Sequence, residues 1–78
     1  MKLPRGVSAG HLVRVLERLG YEVLRQKGSH IRLRHPGPPV HPVTIPNHDS
    51  LKTGTLHGIL AEVAMMRGTT IEALAELL

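Results

Sequence analysis

The chain contains no cysteine, no phenylalanine and no tryptophan, and Tyr21 is its single aromatic residue. Without cysteine there is no disulfide staple, no thiolate nucleophile and no cysteine-ligated zinc. Without large aromatics the core has to be assembled from Leu, Val and Ile. No apolar run approaches the roughly 20 residues of a membrane span, and the N-terminus carries no signal-peptide hydrophobic stretch. A soluble, cytoplasmic protein without membrane association is expected. The acidic residues are few and scattered, whereas two-metal nucleases need carboxylates gathered around their ions. Phosphate-cradling glycine motifs such as GxGxxG and GxxxxGK[ST] do not occur. No cofactor and no metal are expected.

What remains is a chain of 78 residues, read as one domain over residues 1–78. At that size roughly 60% of the unfolded chain's surface can be buried, so the core is thin. The net charge is +4, and its distribution says more than its total. Residues 1–34 hold eight basic residues against Glu17 and Glu22. The remainder holds Lys52 and Arg67 against Asp49, Glu62, Glu72 and Glu76. A basic half beside a mildly acidic one points to a polyanion or an acidic protein as partner, although ordinary solvated surface produces the same asymmetry.

Apolar positions set the elements. Pro4 and Gly6 keep the first residues extended. Ser8 is a good N-cap, and Leu12, Val15, Leu16 and Leu19 then recur at helical spacing, with Gly20 placed to end the helix. Tyr21 to Arg25 is rich in strand formers and leads into a turn at Lys27-Gly28-Ser29. His30 to Arg34 alternates, Ile31 and Leu33 facing one way and His30, Arg32 and Arg34 the other, as in a half-buried antiparallel strand. His35 to Pro42 reads as a proline-stiffened loop, Val43 to Ile45 as a third strand, and Asn47 to Leu51 as a polar connection. A second helix starts near Thr53 and buries Leu56, Ile59, Leu60 and Val63. Gly68 closes it, and Thr70 caps a short terminal helix through Leu74. The expected fold is α+β, a two-layer sandwich of order α-β-β-β-α with a short extra C-terminal helix and an antiparallel three-stranded sheet. That is the topology of the double-stranded-RNA-binding (dsRBD) fold, and topology alone does not assign function.

The residue of greatest chemical interest is His30, delivered by a turn onto a strand whose exposed face also carries Arg32 and Arg34. Imidazole moves protons near neutral pH. Cleaving RNA without a metal requires a group to take the 2′-hydroxyl proton, a group to protonate the departing oxygen, and cations on the phosphate. His30 is suited to the first or second task, and Lys27, Arg25 or Arg32 to the third. A strand histidine with no chemical task fits these residues as well, and both readings stand at this point. His48, beside Asp49, is a second candidate, against a turn residue that helps cap the next helix. Lys52-Thr53-Gly54-Thr55 opens the second helix with free N–H groups, a lysine and two hydroxyls, which suits an anion as well as a simple cap. His11 and His57 fall on helices, and His35 and His41 bracket the proline loop. No pair of histidines has HxxxH or HEXXH spacing, and these four are read as surface or loop residues.

Four segments, taken together and in order, resemble a known family. The helix Leu12–Leu19 followed by Gly20-Tyr21 is similar to its opening pattern, and Arg25-Gln26-Lys27-Gly28-Ser29-His30 to its RQKGSH hallmark. Val43-Thr44-Ile45-Pro46-Asn47-His48 resembles its third-strand motif, and Lys52-Thr53-Gly54-Thr55-Leu56-His57-Gly58-Ile59-Leu60 its GTL motif. The family is HicA, the mRNA interferase toxin of HicA–HicB type II toxin–antitoxin systems, which act in stress responses. The resemblance spans about residues 9–64 and departs from the pattern mainly in the proline content of residues 35–42. It implies a dsRBD-like fold, an endoribonuclease (a hydrolase of mRNA) independent of metal, and His30 as the catalytic residue. It also implies a HicB-like antitoxin covering the His30 region. Beside that resemblance, Arg25, Lys27, Ser29, Arg32, Arg34 and Lys52 are expected to bind RNA phosphates, with His48 as a candidate second catalytic group and the free toxin a monomer. The alternatives are a non-catalytic RNA-binding module of the same fold and a protein–protein module whose basic face meets an acidic partner.

Overall fold

A computed structural model describes residues 2–78. The elements run α1 (Ala9–Arg18), β1 (Glu22–Lys27), β2 (His30–His35), β3 (His41–Pro46), α2 (Thr53–Arg67) and α3 (Ile71–Leu77). The strands form one antiparallel sheet in the order β1-β2-β3, giving the α+β layout that the apolar spacing predicts. Ile31, Leu33, Val43 and Ile45 are buried and join one cluster with Leu12 and Leu16 of α1, Leu56 and Leu60 of α2 and Leu74 of α3. Each such side chain contributes about 1.5–3 kcal/mol on burial. The opposite sheet face stays exposed at His30, Arg32, Arg34, Pro42 and Thr44. Among the described residues no helix is long and apolar enough to cross a membrane.

Local chemistry sets the boundaries. Ser8 caps α1 by accepting the His11 N–H (3.1 Å), and Thr70 caps α3 by accepting the Ala73 N–H (3.1 Å), each satisfying a helix-start donor. Gly20 follows α1 at φ +99, and a Cβ there would meet His35 Nε2 at 2.8 Å. Both the left-handed backbone and the close approach of that imidazole select glycine. The lead-in is tied down as well: Leu3 and Val7 are buried, and Val7 accepts the Leu51 N–H at 2.7 Å.

The structure corrects the proline loop. Residues 36–40 are irregular, but His35 is the last residue of β2 and His41 the first of β3, and the two pair across the sheet. Pro42 and Pro46 fit inside β3 because it is an edge strand, where a missing N–H can face outward.

Helix α2 is intrinsically weak. Gly54 and Gly58 lie within it, and Lys52 at its N-cap provides no side-chain hydrogen bond. Packing of Leu56, Ile59, Leu60, Val63 and Ala64 holds it instead. Gly58 is exposed, and a Cβ added there meets nothing within 4 Å. Gly58→Ala is therefore expected to stabilise the protein by about 0.5–1 kcal/mol, read as a higher thermal or denaturant midpoint. An unchanged or lowered midpoint would contradict this account of α2.

Candidate functional site

The site begins at a two-residue turn. Gly28 has φ +56, and Ser29 is not in the left-handed region. A glycine with positive φ in the first central position fits a type II′ hairpin, whose twist matches that of the flanking strands. The turn makes Lys27 and His30 direct cross-strand partners. Partners across a ladder share a face, so pairing places Lys27 beside His30 and Arg25 beside Arg32. On the other side of β2, Thr44 pairs with Arg32 and Pro46 with His30.

These side chains surround a shallow hollow of about 440 Å³ lined by Arg25, Lys27, Gly28, Ser29, His30, Arg32 and Thr44. Three cations and one imidazole therefore converge there, and no carboxylate lines it. Arg32 Nη1 stands 3.5 Å from Thr44 Oγ1, a long contact that leaves the guanidinium free to turn to a ligand. Asn47 N–H donates to the Ser29 carbonyl at 2.7 Å, tying the turn to the segment after β3 and fixing the mouth of the hollow.

A β-bulge decides how far this cationic patch extends. Counted back from the turn in strict alternation, Leu24 would stand opposite Leu33. The register instead shifts between Val23 and Arg25, so that Val23 pairs with Leu33 and Glu22 with Arg34. Leu24 is the extra residue and is 51% exposed. The bulge thus gives the sheet's outer face two ends. At one, Glu22 opposes Arg34 with opposite charge; at the other, Arg25, Lys27, His30 and Arg32 have no acid among them.

Five of the residues singled out from the sequence (Arg25, Lys27, Ser29, His30 and Arg32) thus meet in one place. Arg34 shares their face without lining the hollow. Lys52 sits exposed at the start of α2, and His48 is exposed in the connection before it; neither lines the hollow. The backbone of His48 has a structural task, its carbonyl accepting the Ala9 N–H at the start of α1 (3.0 Å). Thr44 is the one lining side chain given no chemical role from sequence, Gly28 contributing only backbone, although its exposed position is legible from the alternation with Val43 and Ile45. Among the described residues no group of three or more His, Cys, Asp or Glu side chains is placed to hold a metal ion.

A second polar cluster lies at the opposite end of the sheet and corrects the reading of two histidines. His41 is 2% exposed and lies within β3. Its Nε2 donates to Glu62 Oε1 at 3.0 Å and its Nδ1 accepts the Tyr21 hydroxyl at 2.7 Å, an arrangement in which every buried polar atom of the trio is satisfied. His35, half-buried, donates from Nε2 to the Leu19 carbonyl (3.0 Å) and accepts the Gly37 N–H at Nδ1 (2.9 Å). The Arg67 guanidinium lies against His35, reaches the Pro39 carbonyl, and stands 5.9 Å from the Tyr21 ring centroid. Flanking prolines suggested a surface loop, whereas these histidines pin that loop to α2 and to the end of α1.

Burial pushes the Tyr21 phenol above its ordinary value of 10.0; the Arg67 guanidinium offsets part of this and the Glu62 carboxylate adds to it. A raised folded-state pKa leaves stability intact below pH 10. Stability then falls as pH rises towards the folded pKa, because the unfolded chain releases its proton first. Tyr21 is the sole tyrosine, so tyrosinate absorbance reports it alone. The native protein is expected to titrate above 10 and the denatured chain near 10; coincident curves would refute this.

Residues 10–65 match the family model described as HicA toxin of bacterial toxin–antitoxin systems. No curated protein and no solved structure gives a significant match.

Proposed function

The chain belongs to the HicA toxin family, and from that toxin role we propose that it acts as a metal-independent endoribonuclease on mRNA, with His30 as the general acid or base. The observation that carries this reading is the hollow at the hairpin: one imidazole among three cations, exposed on the outer sheet face and free of carboxylates. A phosphodiester seated there would present its oxygens to Arg25, Lys27 and Arg32 while His30 addresses the reacting hydroxyl. The guanidiniums suit charge building on phosphoryl oxygens because they are planar, permanently charged donors. Ser29 adds a hydroxyl at the rim, and Arg34 extends the positive track along β2.

In this mechanism the 2′-hydroxyl loses its proton as O2′ bonds to phosphorus, and the bond from phosphorus to O5′ breaks. The products are a 2′,3′-cyclic phosphate and a 5′-hydroxyl, and no external reactant is consumed. The charge that a metal ion would neutralise is met here by the three side-chain cations. A HicB-like antitoxin seated over the same face would block access to His30, and the site of action is the cytoplasm, where mRNA is found.

The test is incubation of the full chain with RNA in EDTA, with end-group analysis of the products. Cleavage with 5′-hydroxyl ends is expected. Salt-sensitive RNA binding without products at any protein concentration would replace this reading with a non-catalytic RNA-binding module. Absence of RNA affinity at physiological salt, with tight binding to an acidic partner, would leave a protein–protein module.

A further inference from the structure

Resting on the ribonuclease reading, we propose that Lys27 is the second proton-transfer group, protonating the departing O5′ while His30 takes the proton from the 2′-hydroxyl. Lys27 and His30 close the two-residue turn as direct ladder partners, which sets their Cα atoms about 5.5 Å apart or closer with both side chains on the exposed face. One side chain is short and the other long. An imidazole close to the strand and an ammonium on a four-carbon stem can therefore approach a phosphodiester from different sides.

The other groups lining the hollow are poorly suited to donating this proton. Arg25 and Arg32 carry guanidiniums, which do not give up protons in proteins and so hold charge only. Ser29 and Thr44 have hydroxyls, which are weak acids and face no carboxylate in the hollow. His48, the second candidate from sequence, does not line the hollow, and Glu22 stands at the Arg34 end of the ladder. That leaves the Lys27 ammonium. An alkoxide leaving group approaches hydroxide in basicity, so proton transfer to it from an ammonium is downhill.

The proton balance closes. His30 accepts the O2′ proton as the O2′–P bond forms, and Lys27 gives one Nζ proton to O5′ as the P–O5′ bond breaks. The imidazolium and the neutral amine then re-equilibrate through solvent. Lys27 would thus be a catalytic residue, distinct in kind from the two arginines that hold the phosphate.

The experiment compares two RNA strands of the same sequence, one with an ordinary linkage and one with the 5′-bridging oxygen at the cleaved position replaced by sulfur. A thiolate leaves without needing a proton. Single-turnover rates are measured for the wild-type chain, Lys27→Ala, Lys27→Arg and His30→Ala. Lys27→Arg, which keeps the phosphate cation, is expected to lose about 10²–10⁴-fold on the oxygen strand and to cleave the sulfur strand within several-fold of wild type. Lys27→Ala, which also loses that cation, is impaired on the sulfur strand but far less than on the oxygen strand, whereas His30→Ala stays impaired on both. Equal losses by the Lys27 variants on both strands would reduce Lys27 to a phosphate contact, and rescue of His30→Ala by sulfur would reverse the assignment. Either result overturns the proposal and leaves the ribonuclease reading intact. Failure of the wild-type chain to cleave either strand would overturn the ribonuclease reading itself.

Discussion

Replacing His30 with alanine is expected to abolish growth arrest on expression and to lower the RNA-cleavage rate by about 10²–10⁴-fold, the usual worth of a general acid or base. The fold and RNA binding should persist. His30 is exposed at the first residue of β2 and contributes nothing to the buried cluster, and substitutions at such positions usually change stability by no more than about 0.5 kcal/mol. Binding should survive because the cations proposed to hold the phosphate belong to Arg25, Lys27 and Arg32, which the substitution leaves in register. Three measurements on one variant separate the roles: cleavage rate, salt-dependent RNA affinity and thermal midpoint. Undiminished toxicity of His30→Ala would sink the catalytic assignment. A loss of affinity parallel to the loss of rate would mean that the imidazole binds RNA and does not move its protons.

Much of this architecture is legible in the chain because α1 and β2 each announce themselves by one dominant period. Leu12, Val15 and Leu16 recur at helical spacing and are buried; Ile31 and Leu33 alternate with His30, Arg32 and Arg34, and the structure puts the two sets on opposite faces. The caps at Ser8 and Thr70 follow from side-chain chemistry that acts over three residues. The bulge at Leu24 is different. Val23 and Leu24 are both apolar, so the sequence supports either register, and the choice lies in pairing partners on β2 that no local pattern records. Glu22 opposite Arg34 is the consequence that separates the two ends of the sheet's outer face.

The histidines divide along the same line. His30 is readable because an alternating strand fixes its face and a turn fixes its start. His41 misleads because it lies between Pro38-Pro39 and Pro42, a proline content typical of an exposed loop, and its burial depends on Tyr21 and Glu62, 20 and 21 positions away in the chain. Its partners are tertiary, and composition carries no trace of them. Lys52 shows the converse: a motif that suits an anion lies at the head of α2 and outside the hollow.

Leu60→Ala is expected to destabilise the protein by about 2–5 kcal/mol, the largest stability effect argued for this chain. Leu60 is 0% exposed and packs in the shared cluster between α2 and the sheet. Its helix gains little from intrinsic propensity, since interior glycines each cost up to about 1 kcal/mol relative to alanine, and no side chain caps its start. Truncating Leu60 therefore weakens the packing on which α2 depends and opens a void in a small core. A domain of this size has a total stability on the order of 4–12 kcal/mol, so the loss is a large fraction of the whole. With about 4–8 °C of midpoint per kcal/mol, melting should fall by roughly 8–40 °C. Pairing the substitution with Gly58→Ala, which raises helix propensity on the exposed side, should recover up to about 1 kcal/mol if the helix is limited by propensity as well as by packing. A drop of only a few degrees for Leu60→Ala would mean that α2 is held by contacts other than this cluster. Because His30, Arg32 and Thr44 of the hollow lie on the exposed sheet face, away from the buried cluster that holds Leu60, the folded fraction of Leu60→Ala should keep the wild-type rate in the RNA-cleavage assay, run below its lowered midpoint.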